Sequence, residues 1–310
     1  MILQKAVTPQ LSAAYHDHDH DRVAGFVVPW GAVGHARTPR ELITAHGLDF
    51  PATPFSADMP HIDVLRFEST ANLLLEKATG GPDRATQNVT GGPFLDRPPF
   101  RGDGFVADPD HVIPLSWLPH RRVPAGAELH RIAADGTSTY LAYFHSAAWG
   151  WIYADDIEAR RERQPRLVSR FVGGLARMDD GEVRIADLID GGTRVIAVRQ
   201  DEQAEADGWT PTTPMVWSRT IDVADAQEYF ELDIRTRWNG LGYRVTDQYP
   251  TATGLQLSGT YTDHDADLAE GLQLVKIDAA VYEGELPGHL LEDATIRQTQ
   301  LPEWPALPTT

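Results

Sequence analysis

Apolar positions along the chain come in short alternating runs, separated by Gly, Pro and Asp-Gly pairs. Such a rhythm predicts brief strands joined by tight turns, with few helices. Residues 25–31 (GFVVPWG) predict a strand stopped by Pro29. Residues 61–70 (HIDVLRFEST) predict another, alternating through Ile62 and Val64. Between them, residues 38–47 predict a short helix. Thr38 can cap it, Pro39 suits its first position, Glu41 stands three residues after the cap, and Gly47 ends it. Residues 121–153 predict strand, turn, strand, turn, strand, with Asp135-Gly136 as the first turn. Gly150 separates Trp149 from Trp151 there, and an extended backbone would place both rings on one side. Two more strands, EVRIADL and TRVIAVR, meet across Asp190-Gly191-Gly192. Asn239-Gly240, inside residues 234–245, is the strongest hairpin signal in the chain. Residues 255–262 and 276–286 predict further strands, with a short acidic helix at 263–272 ended by Gly271.

Other stretches are less regular. Residues 1–24 read as an irregular arm, and residues 90–105, rich in Pro and Gly, as loop. Periodicity does not decide between strand and helical turn over 71–81, nor between helical turn and edge strand over 222–230. Residues 155–171 predict a helix capped by Asp155 or Asp156, with arginines at 160, 161, 163, 166 and 170 as a phosphate patch or a solvated face. Residues 200–214, acidic and then Pro-rich, read as a linker. The expected fold is α+β, dominated by short antiparallel strands with a few short helices, in two or three small β-rich domains. These are a mixed α/β region over 1–120, a β-rich domain over 121–214, and an acidic β-rich module over 215–310 in the style of an SH3-like barrel.

Charge sharpens this picture. Among 310 residues, 45 acidic and 27 basic side chains leave a net charge of -18, and residues 217–310 hold 16 acidic and 6 basic residues. An acidic surface repels nucleic acid and anionic lipid, so the expected partner is a basic protein. The absence of cysteine excludes disulfides, thiolate catalysis and Cys-ligated metal. No secretory pattern opens the chain and no apolar run approaches the roughly 18 residues of a membrane span, so a cytoplasmic protein without membrane contact is expected. Arginine far outnumbers lysine, and Ala, Gly and Asp are abundant, as in proteins of GC-rich actinobacterial genomes.

Few residues signal chemistry. Nucleophile-elbow, P-loop and H-E-x-x-H patterns are missing. His16, His18 and His20 alternate with Asp17, Asp19 and Asp21; in a strand the imidazoles would share a face and could ligate zinc. The array lacks a marked fourth ligand, so no structural metal is expected there. Asp263, Asp265 and Asp267 alternate too, but Leu268 and Leu274 stand where a calcium loop needs Gly and Glu. They are therefore expected to act as an acidic partner-binding surface. Trp149 and Trp151 are either core or aromatic anchors for the same partner.

Residues 102–142 carry Asp103-Gly104-Phe105, Pro124-Ala125-Gly126, Arg131, and Gly136 to Leu141. In these the stretch resembles the necrotising NAD-glycohydrolase toxins of actinobacteria. The resemblance implies an NAD site over 102–153 served by Arg131, as in an NAD glycohydrolase or ADP-ribosyltransferase. The family's R-(Y/F)-G is Arg131-Ile132-Ala133 here, its L-S-P is Leu141-Ala142-Tyr143, and its catalytic glutamine has no counterpart, so no turnover of NAD is expected. The C-terminal module, with Trp238, Gly240, Tyr243 and Val245 spaced in a hairpin, is similar to immunity factors encoded beside such toxins. The favoured expectation is thus an intracellular binding protein without a cofactor, an immunity or antitoxin-type inhibitor of a basic toxin. The alternative is the NAD enzyme.

Overall fold

The computed structural model describes residues 1–18, 20–50, 53–70, 73–154, 168–200, 208–252 and 254–300. The first part of the chain forms β1 (Ile2–Val7), α1 (Pro9–His18), β2 (Arg22–Pro29), α2 (Pro39–Ala45), β3 (His61–Glu68), β4 (Glu76–Lys77), β5 (Gly80–Gly81), α3 (Arg84–Thr90), β6 (Phe94–Leu95), β7 (Ser116–Arg122), β8 (Ala127–Ala133), β9 (Ser138–Ser146) and β10 (Gly150–Tyr153). The second part forms β11 (Gly174–Arg177), β12 (Val183–Ile189), β13 (Arg194–Arg199), β14 (Thr210–Thr213), β15 (Val216–Asp222), β16 (Glu228–Trp238), β17 (Leu241–Thr251), β18 (Gly254–Tyr261), α4 (Ala266–Gly271), β19 (Val275–Asp278), β20 (Val281–Pro287) and β21 (Glu292–Gln300). The fold is α+β, mostly short antiparallel strands, as the alternating pattern predicts.

Two large sheets carry it. The first runs β10-β9-β8-β3-β1-β2-β7-β4, and the second β14-β15-β13-β12-β11-β16-β17-β18-β20-β19, with β21 added on β16. The chain therefore divides between β10 and β11, not at 120 and 214. β7 runs through residue 120, and β15 pairs with β13 and β14 across residue 214. The strands of 215–310 are part of the larger sheet rather than a barrel of their own.

The first sheet is buried on both faces. Leu11 and Tyr15 of α1 cover one face together with Trp151, while Leu42 and Ile43 of α2, Val106, Ile113 and, from the second sheet, Ala279 to Val281 cover the other. The expected irregular arm is instead β1, a central strand, followed by α1. Its apolar signal is interrupted by Gln4 and Lys5, which are buried because each has a partner. Arg66 Nε donates to Gln4 Oε1 at 2.9 Å, and Lys5 Nζ lies 2.7 Å from Asp278. Thr38 and Glu41 form the expected capping box of α2. Asn239 and Gly240, both at positive φ, make the tight turn between β16 and β17. Residues 79–102 press backbone on backbone: a Cβ on Gly80 would sit 1.8 Å from the Phe94 carbonyl oxygen.

The predicted helix over 155–171 falls mainly outside the described residues. The linker expected over 200–214 includes β14, a paired edge strand. Among the described residues, no helix is long and apolar enough to cross a membrane.

Candidate functional site

β16 is the strand on which the site is built. Along one edge it pairs with β21 over residues 230–237. Along the other, residues 228–231 pair with β11 and residues 235–238 pair with β17. Between those two partners, Leu232 to Ile234 have no strand beside them among the described residues. The Arg244 guanidinium fills part of the gap, donating to the Leu232 and His120 carbonyls. The β4–β7 edge of the first sheet faces this opening, and a cleft of about 330 Å³ lies between them, with Leu74, Phe230 and Leu232 as apolar lining. Glu76, Pro119, Arg235 and Arg244 are shared with an adjoining cavity of about 210 Å³ that also takes in Trp117, His120, Tyr261 and His264.

The electrostatics are distinctive. In a chain of net charge -18, four arginines (Arg121, Arg235, Arg244, Arg297) line the cleft together with Glu76, Glu231 and Asp233. Arg235 and Arg244 stand directly opposite each other in the hairpin register. Like charges so placed repel, and Asp233 bridges them, at 2.9 Å from Arg235 and 3.3 Å from Arg244. Burial raises the Glu76 pKa, partly opposed by Arg235 and Arg244. Burial, helped by Arg235, lowers His264 to about 4, so its imidazole is neutral at neutral pH. His264 Nε2 lies 3.7 Å from Glu76, and its ring packs 4.1 Å from Phe94 and 5.1 Å from Trp117. Its Nδ1 is buried without a hydrogen-bond partner. His120 is similar. Its Nδ1 lies 2.8 Å from Thr260 Oγ1 and 3.3 Å from Glu283, its Nε2 is buried without a partner, and burial holds its pKa well below the ordinary value. A buried polar atom left unpaired costs about 1–3 kcal/mol. Both histidines line the smaller cavity as neutral imidazoles.

Comparison with protein-family models, curated proteins and solved structures gives no match.

The residues singled out from sequence lie elsewhere. Arg131 grips Asp63 through two bonds of 2.9 Å, linking β8 to β3. Trp151 is fully buried in the first sheet, while Trp149 packs on the core of the second. The rings part because Gly150 takes a positive φ and a bulge follows it, which breaks strand alternation. With no exposed surface, Trp151 cannot anchor a partner in this fold. Asp265 is buried, caps α4 and pairs with Arg84, whereas Asp263 and Asp267 are exposed, the first accepting from the Gly242 amide and the second paired with Arg97. The three acids are therefore not one open patch. Residues 9–18 form α1 rather than a strand, so the alternation that would align the three imidazoles does not form, and His16 is exposed on that helix. His20 follows α1, its pKa lowered to about 4 by burial.

Sequence reasoning passed over the cleft residues. Glu76 lies in the undecided stretch, and His264 sits inside the acidic run. Arg235 and Arg244 had a readable signal: with the turn fixed at Asn239-Gly240, they fall opposite each other.

Proposed function

We propose that the protein is a binding protein whose inter-sheet cleft takes a small organic anion with an apolar body. The observation that carries this reading is the convergence of Arg235, Arg244 and the neutral His120 and His264 on one cavity. The acid group of the ligand would accept from Arg235, which is half exposed and reachable. Its body would lie against Leu74, Phe230 and Leu232, and its remaining polar atoms would meet the neutral imidazoles. A cavity of a few hundred Å³ with mainly apolar lining and a few converging polar groups is the usual form of a small-molecule site. Titration with 8-anilinonaphthalene-1-sulfonate, an anion of this class, tests the reading through quenching of Trp117. Saturable binding of one molecule, weakened about tenfold by Arg235→Gln (about 1.4 kcal/mol), is expected. Binding that does not saturate, or that ignores the substitution, would overturn it.

A second reading is the inhibitor of a basic protein such as a toxin. It draws on the net charge and on β21, a strand exposed along its whole length that, among the described residues, pairs only with β16. Such an edge can accept a partner's strand. Salt-dependent capture of a basic protein, lost when Thr295 and Arg297 are replaced by proline, is the expected outcome; capture unaffected by either proline would remove β21 from this reading.

A further inference from the structure

We propose that His35, Asp108 and His111 form a binding site for one divalent ion of the zinc class. His35 follows the short turn over 30–33, and Asp108 and His111 belong to the segment that joins β6 to β7. One ligand atom from each side chain lies within 4.8 Å of the others. Asp108 holds the centre. Its Oδ2 is 3.6 Å from His35 Nε2 and its Oδ1 is 3.5 Å from His111 Nδ1. Both separations exceed ordinary hydrogen-bond lengths. They run to different carboxylate oxygens, so Asp108 turns one oxygen to each imidazole at close to the roughly 3.4 Å that separates donors about 2.0–2.1 Å from one ion.

The donors are also prepared for the task. The Asp110 amide donates to Asp108 Oδ1 at 3.0 Å, which fixes the carboxylate, and only a tenth of the Asp108 side chain is exposed. The imidazoles stack face to face, with centroids 3.4 Å apart and planes 2° from parallel. An ion lies in the plane of each imidazole that binds it, so ligation would turn these two exposed rings out of their stack toward Asp108. Two nitrogens and one carboxylate select a borderline ion such as Zn²⁺ over Ca²⁺ or Mg²⁺, with water completing the shell. Val33 and Ala36 beside His35, and Val106 and Ile113 around the other two ligands, belong to one core cluster. The ion would therefore staple two segments that cover the same face of the first sheet.

The test uses the full chain after chelator treatment, titrated calorimetrically with ZnCl₂ and, separately, CaCl₂. One zinc per chain is expected, with calcium binding at least tenfold weaker. His35→Ala and Asp108→Asn should each weaken zinc binding by roughly tenfold or more, while His16→Ala should leave it unchanged. His35 is a partly exposed side chain, so its variant should fold, and circular dichroism verifies this. Zinc binding that survives His35→Ala and Asp108→Asn, or that is lost in His16→Ala, would overturn the proposal. Equal affinity for calcium would overturn the ion class.

Discussion

Arg122 at the end of β7 and Asp187 in β12 form an ion pair of 2.9 Å between the two sheets, with 1% of the Arg122 side chain exposed. The guanidinium also donates to the carbonyls of Ser169, Val172, Gly174 and Ala186. Asp187 in turn accepts from the Ala147 amide. Burial disfavours the charge, but Asp187 outweighs it, and the Arg122 pKa is raised. The pair ties β7 of one sheet to β12 of the other.

Removing one partner would leave the other charge buried and unpaired. Arg122→Met should therefore cost about 3–5 kcal/mol of stability, and Asp187→Leu a similar amount. The double variant should recover much of the loss, because no lone charge remains. Urea unfolding of the three variants checks this. Additive losses would show that the two residues act independently.

Trp151 and Trp149 should separate by their energetics. Trp151 is fully buried and its indole donates to the His20 carbonyl at 2.8 Å. Trp151→Ala should cost about 3–5 kcal/mol. Trp149 is only partly buried, so Trp149→Ala should cost less than half as much. Thermal melts of both variants decide it, and equal losses would contradict the division of the two rings between separate cores.

What could be read in the sequence was local. The capping box at Thr38 and Glu41 and the Asn239-Gly240 turn depend on neighbours a few residues away, and both stand as expected. β1 was hidden because Gln4 and Lys5 interrupt its apolar run. Their partners, Arg66 and Asp278, lie 62 and 273 residues further along. β21 was equally unreadable: its polar residues are exposed throughout and its strand form comes from pairing with β16. The cleft needs β4, β7, β16 and β17 together. Only the opposition of Arg235 and Arg244 was written in one stretch of chain.

Acid should weaken the fold through His46. Its Nδ1 donates to the Leu42 carbonyl at 2.8 Å, its Nε2 faces the Gln4 amide at 3.4 Å, and burial lowers its pKa to about 4. The unfolded chain takes up this proton near pH 6.5, the folded one only near 4. The native state thus holds fewer protons in between, and stability present above 6.5 is lost as pH falls toward 4. This one group accounts for about 3 kcal/mol. Partly buried Glu76, Asp96 and Glu283, whose pKa values desolvation raises, oppose part of the loss. Urea unfolding at pH 7.5 and 4.5 should show a smaller difference in His46→Gln than in the parent; an identical difference would contradict the assignment.

NAD should not be hydrolysed. Both Nε and one terminal nitrogen of Arg131 are engaged by Asp63, which also accepts from Ser12 Oγ. Arg131→Ala should instead destabilise the protein by about 1–3 kcal/mol, since buried Asp63 would lose its charged partner. Released nicotinamide and a urea melt are the two readouts. Turnover of NAD that disappears in Arg131→Ala would restore the enzyme reading.

The three alternating acids near α4 should respond unequally to neutralisation. Asp265 Oδ1 accepts from the Leu268 amide at 3.0 Å, the capping bond of α4, and the same side chain pairs with Arg84. Asp265→Ala should therefore cost about 1–2 kcal/mol. Asp263 accepts from the Gly242 amide at 3.0 Å and so holds the start of β17. Its removal should cost about 1 kcal/mol. Asp267 is mostly exposed and its bond to Arg97 spans solvent, so Asp267→Ala should change stability by no more than about 0.5 kcal/mol. If this surface steers a basic partner, Asp267 alone can be neutralised to slow association without loosening the fold. Replacing all three would mix the two effects, because α4 and the β16–β17 hairpin would weaken together. Denaturation of the single variants, followed by salt-dependent association rates for Asp267→Ala, separates them. Equal and small losses for all three acids would show that the cap of α4 carries no stability and would return them to the role of an open acidic patch.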